Sequence, residues 1–383
     1  MTKKSKPDIR MITRLVPPSG NLVQGQSEVA LEPVLSAALN QVISDGLNHY
    51  SLFEGVPELR RATAEKIARF NKIKIDADSK PYQILITPGA TGALVSIAHT
   101  YLTNASMILF EPYYPYHKKI LETCNAKADV IELQGQDLKL DVDELRARCR
   151  AGKERKDHPL KAILVCSPTN PTGKVFTRDE LQAIADCCIE FDLLCISDEV
   201  YEHFVISEDD HISIATLPDM YSRTITCNSF SKSWAVSGWR LGYVFGAGEL
   251  VGPVHNVGNV FYVCTPTPLQ HALARVLTVD EGYYERLRST YAVKRKILTE
   301  ALSKVGFDVY DSRSNFYAWA KIPENFADSE SLTQFLIEKG QVAGVPGTAF
   351  TDSAAGEKYM RFCFAREEDM LIKAAQQIVK ALS

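Results

Sequence analysis

The chain has 383 residues, of which 45% are hydrophobic and 23% charged, with a formal net charge of −4. At ~150 residues per domain this length predicts two domains of ordinary globular composition, and the charge gives no case for a nucleic-acid partner. No uncharged apolar stretch reaches the ~20 residues that cross a bilayer, and the start, MTKKSKPDIR, lacks the apolar core of a secretory signal.

Apolar strand-like runs alternate with helical patterns through the middle of the chain. Candidate strands lie at 82–87, 106–111, 128–133, 161–167, 193–198, 223–228 and 240–246. Their Val/Ile/Leu-rich runs without clean alternation predict a mostly parallel seven-stranded α/β sheet covered on both faces. Between two of them, RDELQAIADCCIEF (178–191) repeats apolar residues at helical spacing. After residue 275 the texture changes to a long charged helical segment, the strand-like SNFYAWAKI, and a further α+β set. The expected division is a large domain over 46–275 and a smaller one over 276–383, the latter joined by an N-terminal arm over 1–45. Nine cysteines occur without a C-x-x-C pair, several inside apolar runs. They read as buried free thiols of a reducing compartment, so the expected location is cytoplasmic.

Ligands of open α/β sheets bind beyond the carboxyl ends of the strands, so the residues following each run are the informative ones. PGATGAL after the first strand is a small-residue turn opening a helix. There Gly89, Ala90 and Thr91 leave room for a phosphate on free N–H groups, although such a turn by itself is commonly mere punctuation. Tyr114 in PYYPYH offers a face for a flat ring, or simple packing. Asn170 in PTNPTG offers a side-chain donor within an ordinary turn cluster. Asp198 ends an apolar run, where a carboxylate needs a cation or donors, with a helix cap as the plain alternative. Tyr201 follows it. Ser229, Ser231 and Lys232 come after the sixth run, and Arg240 falls on the seventh. A desolvated lysine loses its charge readily, and its neutral amine attacks aldehydes. Arginine forks onto phosphate. Taken jointly, the set matches pyridoxal 5'-phosphate: small turn, serines and Arg240 for the phosphate, Asp198 for the pyridinium, and Lys232 for the aldehyde.

The stretches NHYSLFEGVPELR, PGATGAL, EPYYPYH, SPTNPTGKV, SDEVY, SFSKSWAVSGWRLGY and YMRFCFA, which run in family order, resemble a fold-type I, class I/II aminotransferase. The resemblance implies that Lys232 bonds to the cofactor, that Asp198 pairs with its ring nitrogen, and that Asn170 and Tyr201 contact its ring hydroxyl. It assigns the phosphate to Ala90, Thr91, Ser229 and Arg240, and the stacked ring to Tyr114. It also implies that Tyr50 reaches the phosphate of a neighbouring subunit, hence a homodimer with shared sites. Arg361 would grip the substrate α-carboxylate, with Gly25 and Asn170 nearby. The reaction implied is a ping-pong transfer of an amino group from an L-amino acid to a 2-oxo acid.

Aspartate-specific relatives carry a lysine where Thr91 stands, or an arginine before the segment matching CTPTPLQHA, which here reads NVFYVCTPTP. With Phe53, Tyr114, Tyr262 and Tyr317 as pocket or packing aromatics, this points to a neutral or aromatic side chain. The segment NLVQGQSEVALEP departs from the G-E-P-D-F run of relatives. The alternatives are a carbon–sulfur β-lyase or a cyclising synthase on the same fold, then an aspartate aminotransferase or a non-enzymatic regulator.

Overall fold

The computed structural model describes residues 6–207, 211–277, 282–314 and 316–383. Its larger sheet contains β1 (Ile84–Thr87), β2 (Ser106–Glu111), β3 (Lys127–Glu132), β4 (Leu160–Cys166), β5 (Leu194–Asp198), β6 (Thr224–Ser229) and β7 (Gly242–Gly246). The order is β1-β7-β6-β5-β4-β2-β3. The pairs from β3 through β2, β4 and β5 to β6 are parallel, and β7 runs antiparallel to both β6 and β1.

Successive residues of these strands enter different cores, as a sheet covered on both faces requires. Leu164 of β4 packs with Leu109, Ile196 and Val244 on one side. Ile163 and Val165 pack with Ile108 and Cys195 on the other. Each expected strand is present within two residues of its sequence bounds. The largest differences are at the first, which begins at Ile84 rather than at 82, and at the last, which begins at Gly242 rather than at 240. Arg240 follows the 3-10 turn Ser237–Trp239 with φ 53°, a left-handed conformation that ends one element and cannot start a strand. The expected helix over 178–191 is Arg178–Glu190, opened by a capping box between Thr177 and Glu180.

A second sheet follows: β8 (Asp308–Val309), β9 (Tyr317–Lys321), β10 (Val345–Pro346) and β11 (Tyr359–Cys363), all antiparallel, in the order β10-β11-β9-β8. Helices Tyr283–Lys304 and Glu368–Leu382 bury Leu298, Leu302, Leu371 and Ile378 against its Ala320 and Phe362. The segment before the first long helix lies on this sheet: Leu22 joins that core, and Ile12 and Val23 pack against Trp319. Helix Pro33–Ser44 instead buries Leu35 and Val42 against Ile84 and Phe245 of the larger sheet. All nine cysteines are free thiols, and all except Cys264 are buried. Among the described residues no helix is long and apolar enough to cross a membrane.

Candidate active site

The parallel strands deliver their last residues to one edge of the sheet. Asp198 is the final residue of β5 and Ser229 that of β6. The Asp198 carboxylate, 6% exposed, receives the Val200 N–H at 3.3 Å on Oδ1 and faces His117 Nε2 at 2.8 Å on Oδ2. His117 comes from helix Pro115–Thr123 and is itself buried. Asp198 is thus more than a helix cap: a buried imidazole fixes the direction of its second oxygen.

Lys232 sits three residues beyond β6 in the short helix Phe230–Ser233, whose first turn is capped by Ser229. Its Nζ donates to the Gly25 carbonyl and lies 6.0 Å from the Phe316 ring centre. Burial pushes its pKa down to about 8, with Cys363 and Asp198 acting upward and Arg361 and Arg240 downward. Since only the neutral amine attacks a carbonyl, lowering the pKa raises the reactive fraction below the ordinary value of 10.5. Adduct formation between Lys232 and an aromatic aldehyde, followed by absorbance, should speed up as pH rises to about 8 and then level off. A rate that keeps climbing toward 10.5 would mean an ordinary lysine.

On one side of Lys232 is an anion cradle. Helix Gly89–Tyr101 starts without a side-chain cap, and Ala90 and Thr91 lie in its first turn, so backbone N–H groups and the positive end of the helix dipole are offered to a ligand. The exposed Arg240 donates to Ser237 O at 2.9 Å and to Pro88 O at 3.4 Å, which holds its guanidinium against that turn. A Cβ on Gly89 would come within 2.5 Å of Arg240 Nη2, and one on Gly242 within 2.8 Å of the Ala90 nitrogen. The glycines therefore permit the approach. Ser229 Oγ completes this end, 2.8 Å from Ser231 Oγ.

On the other side is a buried cation. Arg361 of β11 is 2% exposed, and no carboxylate of the described residues pairs with it. Its Nη1 donates to Asn170 Oδ1 at 2.8 Å, Nη2 donates to the Val23 carbonyl, and Nε has no partner. The guanidinium is held between the Tyr317 and Phe350 rings, 4.5 and 4.8 Å from their centres. Tyr201 and Tyr317 join their hydroxyls at 2.8 Å, and burial pushes the Tyr201 phenol well up, so it stays a neutral donor. A Cβ on Gly25 would stand 1.9 Å from the Tyr317 hydroxyl, so this position admits only glycine.

Tyr114 presents a half-buried ring stacked on Tyr116 at 5.3 Å and edge-on to His117 at 5.4 Å, and burial pushes its phenol up to about 12. Two aromatics fall elsewhere: Phe53 is buried 5.1 Å from the Tyr262 ring and 4.8 Å from His255, part of the core under helix Gly248–Tyr262. Tyr50 is 87% exposed and meets none of the other candidates within this chain.

Sequence reasoning missed His117, although its stretch was singled out, and missed a buried network below Asp198. There Glu202 pairs with Lys66 and receives Asn71 at 2.7 Å and Asn228 at 2.7 Å. Glu199 receives Ser213 at 2.6 Å and faces His211 Nε2 at 3.1 Å. These two buried acids follow Asp198 in SDEVYE, and the only available signal was the cost of burying them unpaired.

Residues 19–378 match the family described as aminotransferase class I and II. An aspartate aminotransferase of Pyrococcus abyssi is 32% identical, over 89% of this chain and 86% of that protein. The Homo sapiens kynurenine–oxoglutarate transaminase 3 is 31% identical, over 95% and 85%. The solved N-succinyldiaminopimelate aminotransferase of Mycobacterium tuberculosis superposes with a TM-score of 0.90 at 30% identity, covering 97% of this chain and 96% of that one. With a half-buried lysine between an anion cradle and a buried arginine, and with these likenesses along nearly its whole length, the chain belongs to the class I and II aminotransferases of fold type I.

Proposed function

We propose that the protein transfers the amino group of an L-amino acid with a neutral or aromatic side chain to a 2-oxo acid, using pyridoxal 5'-phosphate. The observation that carries this reading is Arg361: a buried guanidinium held by an amide oxygen and a carbonyl, with no carboxylate of its own, fits a substrate that supplies one. The donor set fits the cofactor as well. The uncapped helix turn beside Arg240 suits its phosphate, and the His117-oriented Asp198 suits a protonated ring nitrogen. When bound, the cofactor supplies an aldehyde for amino groups and an electron-withdrawing ring.

The chain's own residues then have separable tasks. Lys232 would hold the cofactor's aldehyde through its neutral amine, and the same amine would take the proton from the amino acid's Cα. Asp198, oriented by His117, would favour a proton on the cofactor's ring nitrogen. Tyr201 and Asn170 would donate to the ring oxygen, and Tyr114 would supply a face for the ring. Ala90, Thr91, Ser229 and Arg240 hold the phosphate, while Arg361, with Asn170 and Gly25, orients the carboxylate so that the Cα–H faces Lys232.

Exposed Tyr50 belongs in this reading to the site of a second copy. Leu52, Val260, Phe261 and Val263, on the two stretches joined by the Phe53–Tyr262 ring contact, are 64%, 84%, 49% and 54% exposed, apolar side chains suited to a homodimer surface. Residues 46–275, with helix Pro33–Ser44 packed on their sheet, act as the cofactor domain, and 276–383 with the part of the arm before that helix as the smaller domain that brings Arg361. The aromatic neighbours of Arg361 and the absence of lysine at Thr91 favour a neutral or aromatic side chain over a second carboxylate. The location proposed is cytoplasmic, from the free buried thiols.

The test is spectroscopic. The purified protein loaded with pyridoxal phosphate should be yellow, lose that band on addition of an L-amino acid, and regain it with a 2-oxo acid. A protein that stays colourless with added cofactor would refute the reading.

A further inference from the structure

Three consecutive carbonyls of the irregular segment 21–28 each receive a cation. Val23 O accepts from Arg361 Nη2, Gln24 O from Arg366 Nη2 at 3.1 Å, and Gly25 O from Lys232 Nζ. Two of those cations belong to the proposed chemistry and must exchange a carbonyl for a ligand. Arg361 does so for a carboxylate, and Lys232 for an aldehyde. The third does not. Arg366 is 2% exposed, lies beyond β11, and also donates through Nη1 to Glu28 of the same segment.

The segment has no helix or ladder of its own here. Its ends are tied by Leu22 N to Ala343 O at 3.0 Å, Cys363 N to Leu22 O at 2.8 Å, and Glu28 N to Ala365 O at 3.0 Å. Between those ties, Ser27 meets buried Tyr291 at 2.5 Å, and buried Lys294 donates to the Arg366 carbonyl, fixing the arginine's backbone. When Arg361 and Lys232 turn to their ligands, Val23 and Gly25 lose their side-chain donors together. The fork from Arg366 to Gln24 and Glu28 and the Ser27 contact, with Val23 packed against Trp319 and the Asn21 side chain bonded to the Val23 and Gln24 N–H groups, then hold the stretch in place over the site.

We propose that Arg366 and Glu28 are positioning residues that hold segment 21–28 in register across Arg361 and Lys232 while those two cations engage substrate. This rests on the amino-transfer reading. It gives the atypical NLVQGQSEV stretch a role: a strap pinned at its centre by a cation outside the chemistry. A strap out of register leaves the Val23 carbonyl competing with the carboxylate for Arg361, so the cost falls on substrate binding.

The test compares Arg366→Gln, Glu28→Gln and Arg366→Lys with the wild-type protein. In Arg366→Gln, deuterium uptake in peptides covering 21–31 should quicken roughly tenfold, with peptides of helix Tyr283–Lys304 unchanged. The amino-acid KM should rise roughly tenfold, about 1.4 kcal/mol, while kcat changes less than about threefold. Glu28→Gln should move both readouts the same way and Arg366→Lys should restore most of each. If Arg366→Gln quickens exchange throughout the chain, Glu28→Gln decides, because it leaves the arginine in place. Wild-type exchange at 21–31 in Glu28→Gln, or kcat falling as far as KM rises, overturns the proposal. Exchange is read on the protein without substrate, so it stands apart from the amino-transfer reading, whose own failure would be a wild-type protein that transfers nothing.

Discussion

Replacing Lys232 by alanine is expected to lower amino-transfer turnover by about 10²–10⁴-fold, the contribution of a positioned proton-transfer group, without lowering the unfolding midpoint. The two halves have separate causes. Turnover falls because no other described amine takes the place at the end of β6, between the anion cradle and Arg361. Stability holds because burial already works against the charged form of Lys232, whose pKa is pushed down to about 8, so removing the ammonium relieves a cost. The helix it leaves is capped by Ser229, which does not depend on the lysine. Initial rates and thermal unfolding of the same preparation check both. Near-normal transfer by Lys232→Ala would remove the lysine from the mechanism.

Asp198→Asn is expected to separate rate from binding. The amide keeps an oxygen for the Val200 N–H, and its size preserves the contact with His117. What it loses is the negative charge that would hold a proton on the ring nitrogen. Turnover should fall by about 10²–10³, as when one preorganised electrostatic contact is removed. The cofactor's dissociation constant should change less than about tenfold, since the phosphate cradle and Lys232 are untouched. Titration of the cofactor by fluorescence, beside steady-state rates, reads the two quantities. A variant that loses the cofactor as strongly as the rate would make Asp198 a binding anchor instead.

What was legible in the sequence is what is local in the chain. The strands stand out because residues buried on both faces leave unbroken Val/Ile/Leu runs, and Asp198, Ser229 and Lys232 are legible as polar groups placed right after such runs. The anion cradle is legible in part: PGATGAL shows a small turn, but the hold of Arg240 on Pro88 O spans 152 residues. Long-range pairs left no such signal. Arg361 meets Asn170 across 191 residues, Lys232 meets Gly25 across 207, and Lys66 meets Glu202 across 136. Arg361 and Gly25 were placed mainly through likeness to a family, and Lys66, His117 and Arg366 were not placed at all. An arginine in an apolar run announces that it needs a partner, but the fold chooses which one. The start of the seventh strand slipped for a similar reason, because the left-handed turn at Arg240 comes from the packing of its guanidinium over Gly89, which no local pattern encodes.

Lys232, Asp198 and Arg361 are expected together to move an amino group and keep it, rather than eliminate it. The direct measurement is product counting in a single half-reaction: cofactor-loaded protein, one L-amino acid such as phenylalanine, and no oxo acid. The expected result is one equivalent of the 2-oxo acid per site, no free ammonia, and further product only when a second oxo acid is added. Continuous release of ammonia and pyruvate from a cysteine conjugate, with no acceptor present and no 2-oxo acid formed from phenylalanine, would contradict it and assign the site to β-elimination.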